Sequence, residues 1–237
     1  MYSLIKNVYE YGKYAFMGNV KEKLNAEERA YRLLTETIKQ SYKPGDFILE
    51  STLAVDFGMS RTPISIALNR LVSEGILKKV PKKGSYIPLL EHDDAYNVFS
   101  IRKLLEIEAL RIVTERNDYY VLSVINRMLE DSVMALRYDN IKKFVEIDEA
   151  FHLFIVKMAY NTYLLEAWKR IFLRCNIYTR YYNSYQSCED VQENMVLSDH
   201  QDIYYAMQNG DAKKATFLLG KHIDKVYEDL CRKMKLE

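Results

Sequence analysis

The sequence predicts a mainly α-helical chain in two parts: three helices closed by a short β-hairpin, then an antiparallel all-α bundle of about six helices. Three observations lead there. Apolar residues recur at helical spacing from about residue 26 onward. Strand-prone runs occur only near 76–80 and 85–88, on either side of a basic turn that contains glycine. From His92 onward strand signals vanish, and short polar breaks punctuate long amphipathic stretches. The 237 residues suffice for two modest domains, and 49% hydrophobic with 28% charged residues is the balance of an ordinary globular chain.

The first helix, over 26–39, places Ala26, Ala30, Leu33, Leu34, Thr37 and Ile38 on one face. Pro44-Gly45 then turns the chain. A short second helix over 50–57 carries Leu53, Ala54 and Phe57. Gly58-Met59-Ser60 is a tight turn in which Gly58 takes positive φ and Ser60 stands as an N-cap. The third helix buries Ile64, Ala67, Leu68, Leu71 and Val72, with Pro63 in its first turn, where a missing N–H costs little. Glu74-Gly75 ends it, and the hairpin follows. This order, over residues 21–90, is that of a winged helix-turn-helix; residues 1–20 are read as an N-terminal extension.

Two short helices joined by a glycine turn lay the second across a DNA major groove. The side chains that would face the groove are Ser60, Arg61, Thr62, Ser65, Ile66 and Asn69. Arg61 can donate twice to a guanine, Asn69 has an amide suited to adenine, and Ser60 and Thr62 suit phosphate. Lys78, Lys79, Lys82 and Lys83 cluster at the hairpin, where they would add sequence-independent, salt-sensitive affinity. Charge follows the same division. Residues 20–90 hold 12 Lys+Arg against 8 Asp+Glu, whereas residues 91–237 hold 20 against 24. The competing reading is a winged helix used for protein contacts.

The string Lys43-Pro-Gly-Asp-Phe-Ile-Leu-Glu50, then Leu53-Ala54, Gly58-Met-Ser-Arg-Thr-Pro63, Ala67-Leu68, Leu71, Glu74-Gly75 and Pro81-Lys-Lys-Gly84, resembles the DNA-binding domain of the GntR family. The resemblance implies that Ser60, Arg61 and Thr62 contact DNA, with Gly84 at the wing tip. Two positions depart from the pattern. Ser65-Ile66 stands where the family usually has Arg-Glu, and Ser51 where it often has Arg. Ile66 can instead pack on a thymine methyl.

In the second part, helices are expected near 93–115, 119–137, 140–159, 162–183, 189–208 and 211–233. Breaks fall at Asn117-Asp118, Tyr138-Asp139-Asn140, Asn161, Ser187 and Asn209-Gly210-Asp211. The chain has four histidines. His92 lies at the junction with no obvious partner. Asp148 and His152, four apart, share a helix face. His200 and His222 lie about equally far from the turn at Gly210-Asp211, so in an antiparallel helical hairpin they stand at the same height. One carboxylate and three neutral imidazoles suit Zn²⁺, Ni²⁺ or Mn²⁺ and leave coordination positions open. The competing reading is a set of isolated core or surface histidines.

The strings Arg102-Lys-Leu-Leu-Glu106, Asp148-Glu-Ala-Phe-His152, Asn161-Thr-Tyr-Leu164, Asp199-His200, and Gly210-Asp211 followed by Ala215 and His222-Ile223 run across residues 93–233. Together they resemble the FadR-type (FCD) effector domain, and six helices look more like its VanR-type branch. The resemblance implies a divalent metal on Asp148, His152, His200 and His222, and a carboxylate ligand held by Arg102. The expected function is a ligand-responsive transcription regulator, a homodimer on a double-stranded operator, with a small carboxylic acid as effector. Two alternatives stand beside it: a sensor of the metal itself, and a metal-dependent enzyme. Against the enzyme, no general base beyond the ligands, nucleophile elbow or phosphate loop is seen. No apolar run approaches the ~20 residues of a membrane span. Residues 1–20 lack signal-peptide features, so a cytoplasmic location is expected. Cys175, Cys188 and Cys231 lie far apart with no CxxC pair and are read as reduced.

Overall fold

Side-chain caps at Asn25, Asp118, Asn140 and Asn161 open four of the described helices, the last three where the sequence placed its breaks. The computed structural model describes residues 25–89, 91–182 and 196–234. The extension at 1–20, Cys188, the break at Ser187 and the start of the helix expected from 189 lie outside the described residues, as does the side chain of His92.

Helix α1 (Ala26–Ser41) opens on Asn25, whose side chain accepts the Glu28 N–H at 2.8 Å. It buries Ala30, Leu34, Thr35, Ile38 and Lys39. The expected apolar face was therefore turned slightly. Ala26 is exposed and Leu33 and Thr37 are half-buried, because the helix also packs against the second part of the chain. Strand β1 (Phe47–Ile48), helix α2 (Glu50–Asp56), helix α3 (Arg61–Ser73), and strands β2 (Lys78–Val80) and β3 (Gly84–Tyr86) complete this part. The sheet has three antiparallel strands in the order β1-β3-β2, not the two expected. Two residues of β1 carry no readable alternation, and they form a strand only through β3, with Phe47 opposite Tyr86 and Ile48 opposite Ser85.

The remaining helices are α4 (His92–Arg116), α5 (Tyr119–Arg137), α6 (Ile141–Met158), α7 (Thr162–Tyr181), α8 (Val196–Gln208) and α9 (Ala212–Met234). Asn117 ends α4 in the left-handed conformation, and Asp118, Asn140 and Asn161 cap α5, α6 and α7 through their side chains. Gly210, at φ +68, turns α8 into α9. Helix α4 is central and touches α6, α7 and α9, so its buried face looks into the middle of the bundle.

The two parts share a core. Leu173 and Ile177 of α7 lie in the apolar cluster of the N-terminal part, beside Leu34, Ile64 and Leu71. Around them Arg174 donates to the Gly75 carbonyl at 2.9 Å and to Asp94, and the Tyr178 hydroxyl donates to the Pro88 carbonyl at 3.0 Å. Glu149 of α6 accepts from Arg180 of α7 and from the buried Lys39 of α1. Among the described residues no helix is long and apolar enough to cross a membrane.

Cys175 is fully buried on α7, and burial pushes its thiol up to about 12. Native protein at pH 8 should therefore leave Cys175 unmodified by iodoacetamide until it is unfolded. Peptide mass mapping checks this, and labelling of the folded chain at Cys175 would contradict it.

Candidate metal centre and nucleic-acid interface

Helices α6, α8 and α9 bring Asp148, His152, His200 and His222 together in the bundle, with one ligand atom from each lying within 4.8 Å of all the others. The antiparallel α8–α9 hairpin places the two later histidines level, as their spacing about the turn predicted, and their Nε2 atoms are 3.3 Å apart. That separation is what two neighbouring ligands of one ion require when each metal–nitrogen bond is about 2.0–2.1 Å. His200 Nε2 lies 3.7 Å from Asp148 Oδ1. Two of the inward atoms, Asp148 Oδ1 and His152 Nε2, are buried with no hydrogen-bond partner. Unpaired buried acceptors are costly, so this is the arrangement of a donor set that fits a cation.

The outward ring nitrogens are held by carboxylates. His152 Nδ1 is 2.7 Å from Glu106 Oε2, and His222 Nδ1 is 3.4 Å from Asp199 Oδ2. A carboxylate on Nδ1 leaves the Nε2 lone pair facing inward, which is how metal-ligating histidines are oriented. Burial would raise Glu106, but Arg102 and His152 outweigh it and hold its carboxyl well below the usual range. Burial lowers His200 well below the ordinary imidazole value, and the nearby His222, His152 and Arg102 add to this. Burial also lowers His222, more than its hydrogen bond to Asp199 raises it. Both rings are thus kept in the neutral form that binds metal.

Arg102 is 4% exposed and donates through Nε to Glu106 Oε1 at 2.7 Å, with its guanidinium 4.9 Å from the centre of the Phe172 ring. The expected carboxylate-holding arginine is therefore already paired inside the protein along one edge. Trp168, fully buried, stacks on Phe172 and donates to the same Glu106 oxygen at 2.8 Å. Glu106 and Asp199 stood in the matching strings without a role, and Trp168 was not singled out from sequence. The four-residue spacing of Arg102 and Glu106 on one helix was the available signal.

In the N-terminal part, α3 buries Pro63, Ile64, Ala67, Leu68 and Leu71 and exposes Arg61, Thr62, Ile66 and Asn69, with Ser65 half-buried. Ser60 occupies the N-cap position with extended backbone, but its side chain makes no capping bond, and no acidic residue lies in the first turn. The first N–H groups of α3 thus carry no side-chain cap, an arrangement suited to an anion. Asn69 Oδ1 accepts from Lys79 Nζ of β2 at 2.9 Å, which ties the helix to the hairpin and engages one lone pair of the amide expected to read adenine. Lys82 and Lys83 are exposed in the hairpin turn, and Lys82, at φ +65, holds its tip. Gly84 is not at the tip, contrary to expectation. It opens β3 opposite Val80, and a Cβ there would meet the Ile48 carbonyl oxygen at 3.1 Å, so glycine serves the approach of β3 to β1.

Residues 26–87 match the bacterial regulatory proteins of the gntR family, and residues 97–225 match the FCD domain. The chain is 28% identical over 197 residues to the Nta operon transcriptional regulator of Aminobacter aminovorans, covering 81% of this chain and 89% of that protein. It is 25% identical over 209 residues to the transcriptional repressor RspR of Escherichia coli, covering 86% and 88%. The solved structure of E. coli McbR/YncC superposes with a TM-score of 0.81 at 20% identity, covering 89% of this chain and 99% of that one, a likeness of fold. The two relatives are transcriptional regulators, not enzymes. With a gntR helix-turn-helix followed by an FCD domain that spans more than half its length, the chain belongs to the GntR family of DNA-binding transcriptional regulators.

Proposed function

We propose that this regulator is switched by a small carboxylic acid bound beside a divalent cation in the helical domain. Residues 93–233 bind the effector and residues 21–90 read the operator. The observation that carries the reading is the pair of buried, unpartnered acceptors, Asp148 Oδ1 and His152 Nε2, converging with His200 and His222 next to Arg102. Asp148, His152, His200 and His222 hold Zn²⁺, Ni²⁺ or Mn²⁺, and the bound cation offers its open positions to an anionic ligand. Arg102, with Nε on Glu106, directs its remaining N–H groups to the ligand carboxylate.

The response travels through α7. Phe172 and Trp168 of that helix stand against Arg102 and Glu106, while Leu173, Arg174, Ile177 and Tyr178 grip the winged helix. A ligand that prefers one placement of α7 therefore biases the DNA-binding part. Two copies of the chain are needed to read two half-sites, so the active species is a homodimer in the cytoplasm, where the operator is.

The test is fluorescence anisotropy with DNA selected by the protein itself, using metal-loaded protein and a panel of mono-, di- and hydroxycarboxylic acids. At least one acid should shift operator affinity by about tenfold or more, which corresponds to a coupling of about 1.4 kcal/mol. No shift with any acid in metal-loaded protein counts against the effector, and a shift on adding metal alone assigns the cation as the signal.

Ser60, Arg61, Thr62, Ser65 and Asn69 read the major groove, Lys82 and Lys83 hold the backbone through the wing, and Gly84 shapes that wing. Arg61→Ala should weaken binding to the selected operator by about 1–3 kcal/mol and leave the melting temperature unchanged, since the side chain is exposed. Equal affinity of wild type and variant would remove Arg61 from the readout. Changing Lys82 and Lys83 together to alanine should weaken binding to all sequences alike and flatten the salt dependence by about two phosphate contacts. A loss confined to one operator would contradict the backbone role.

A further inference from the structure

One side chain joins helices α4, α6 and α7 beside the candidate centre, and no ligand role explains it. Glu106 of α4 is 1% exposed and accepts three donors from three helices. Arg102 Nε and Trp168 Nε1 reach Oε1 at 2.7 and 2.8 Å, and His152 Nδ1 reaches Oε2 at 2.7 Å. We infer that Glu106 is a positioning residue: it fixes His152 as the Nδ1–H tautomer, turns the Nε2 lone pair toward Asp148, His200 and His222, and anchors Arg102 beside it. This rests on the reading of the cluster as a cation site.

The argument is one of donor and acceptor counting. An ionised carboxylate only accepts, so the proton between Glu106 and His152 belongs to Nδ1. A neutral imidazole with Nδ1 protonated is an acceptor at Nε2, and that atom is buried without a partner. An imidazole free of such a partner favours the proton on Nε2, which would put a hydrogen where a cation must sit. Asp199 does the same for His222 less firmly. Its contact is 3.4 Å, and both its oxygens also accept from the half-exposed Lys225, at 2.7 and 2.9 Å. Glu106 has no competing solvent and no alternative orientation, because Arg102 and Trp168 occupy its other oxygen. The same carboxylate thus sets the histidine and the arginine at a fixed spacing, which makes it a determinant of which acid fits between cation and guanidinium.

The experiment uses ¹⁵N-labelled, metal-free full-length protein and a long-range ¹H–¹⁵N correlation at pH 7.5, together with Zn²⁺ affinity by chelator competition. Wild-type His152 should show the Nδ1–H pattern. Glu106→Gln should lose that pattern and weaken Zn²⁺ about 10–100-fold. Glu106→Asp, which keeps the charge with a shorter reach, should recover part of the affinity. A wild-type His152 protonated on Nε2 overturns the inference, even if no variant folds. So does a folded Glu106→Gln protein with unchanged pattern and affinity. Wild type that shows the Nδ1–H pattern but takes up no Zn²⁺ sinks the cation site while supporting the positioning of His152.

Discussion

His222→Ala is expected to reduce bound metal from about one ion per chain to almost none, and His200→Ala to do the same. Each substitution removes an inward nitrogen from a four-ligand set. Loss of an outer partner of such a ligand already costs about 10–100-fold in affinity, and loss of the ligand itself should cost more. Elemental analysis of protein loaded with Zn²⁺, Ni²⁺ or Mn²⁺ and dialysed without chelator measures it, with His92→Ala as the control that should leave the content unchanged. Because the four ligands come from α6, α8 and α9, the ion should also raise the melting temperature; at a hundred times its dissociation constant it contributes about 2.7 kcal/mol. From the ordinary imidazole value, proton competition would begin as pH falls through about 6.5. Burial lowers His200 and His222 in the folded chain, so protons should compete with the metal at those two ligands only below that value. Equal metal content in wild type and His222→Ala, or loss of metal on His92→Ala, would leave the cluster as a hydrogen-bonded polar core.

The parts of this molecule that sequence reasoning reached are those governed by neighbours in the chain. Asn117, Asp118, Asn140, Asn161 and Gly210 announce helix ends because capping and positive φ are local needs, and each stands at a boundary. The meeting of His200 and His222 was readable too, since a hairpin of known turn fixes which residues stand level. What escaped was decided across elements. Lys39 looks like a solvent-facing lysine of α1 and is buried against Glu149, 110 positions further on. Strand β1 exists only because β3 pairs with it. Glu106 reads as one more helix-surface carboxylate until α6 and α7 bring His152 and Trp168 to it. The family resemblance put Gly84 at the wing tip, whereas the backbone of Ile48, invisible from the hairpin alone, is what requires glycine there. The misses thus rest on contacts between elements distant in the chain: across the two parts at Lys39, between strands at β1 and Gly84, and among three helices at Glu106.

Trp168→Ala should destabilise the whole chain by about 3–5 kcal/mol, which for a protein of this size lowers the melting temperature by roughly 6–20 °C. Trp168 is the only tryptophan, fully buried and stacked on Phe172 with ring centres 4.2 Å apart. Truncation leaves a cavity in the bundle and removes one donor from Glu106. Trp168→Phe keeps the ring stack and loses the N–H, so it should cost less, about 1.5–3 kcal/mol for a hydrogen bond to a charged acceptor. The effect should not stay in the helical domain. Five residues beyond Trp168, α7 contributes Leu173 and then Ile177 to the core of the winged helix, so that core loses two of its own walls when α7 loosens. Wild-type tryptophan fluorescence and far-ultraviolet circular dichroism should therefore report one coincident transition. In the alanine variant, hydrogen exchange across residues 26–87 should lose protection over the same temperature range as the bundle. Native protection of 26–87 after the bundle has melted would show that the two cores are independent, and α7 could then not carry the effector's signal to DNA.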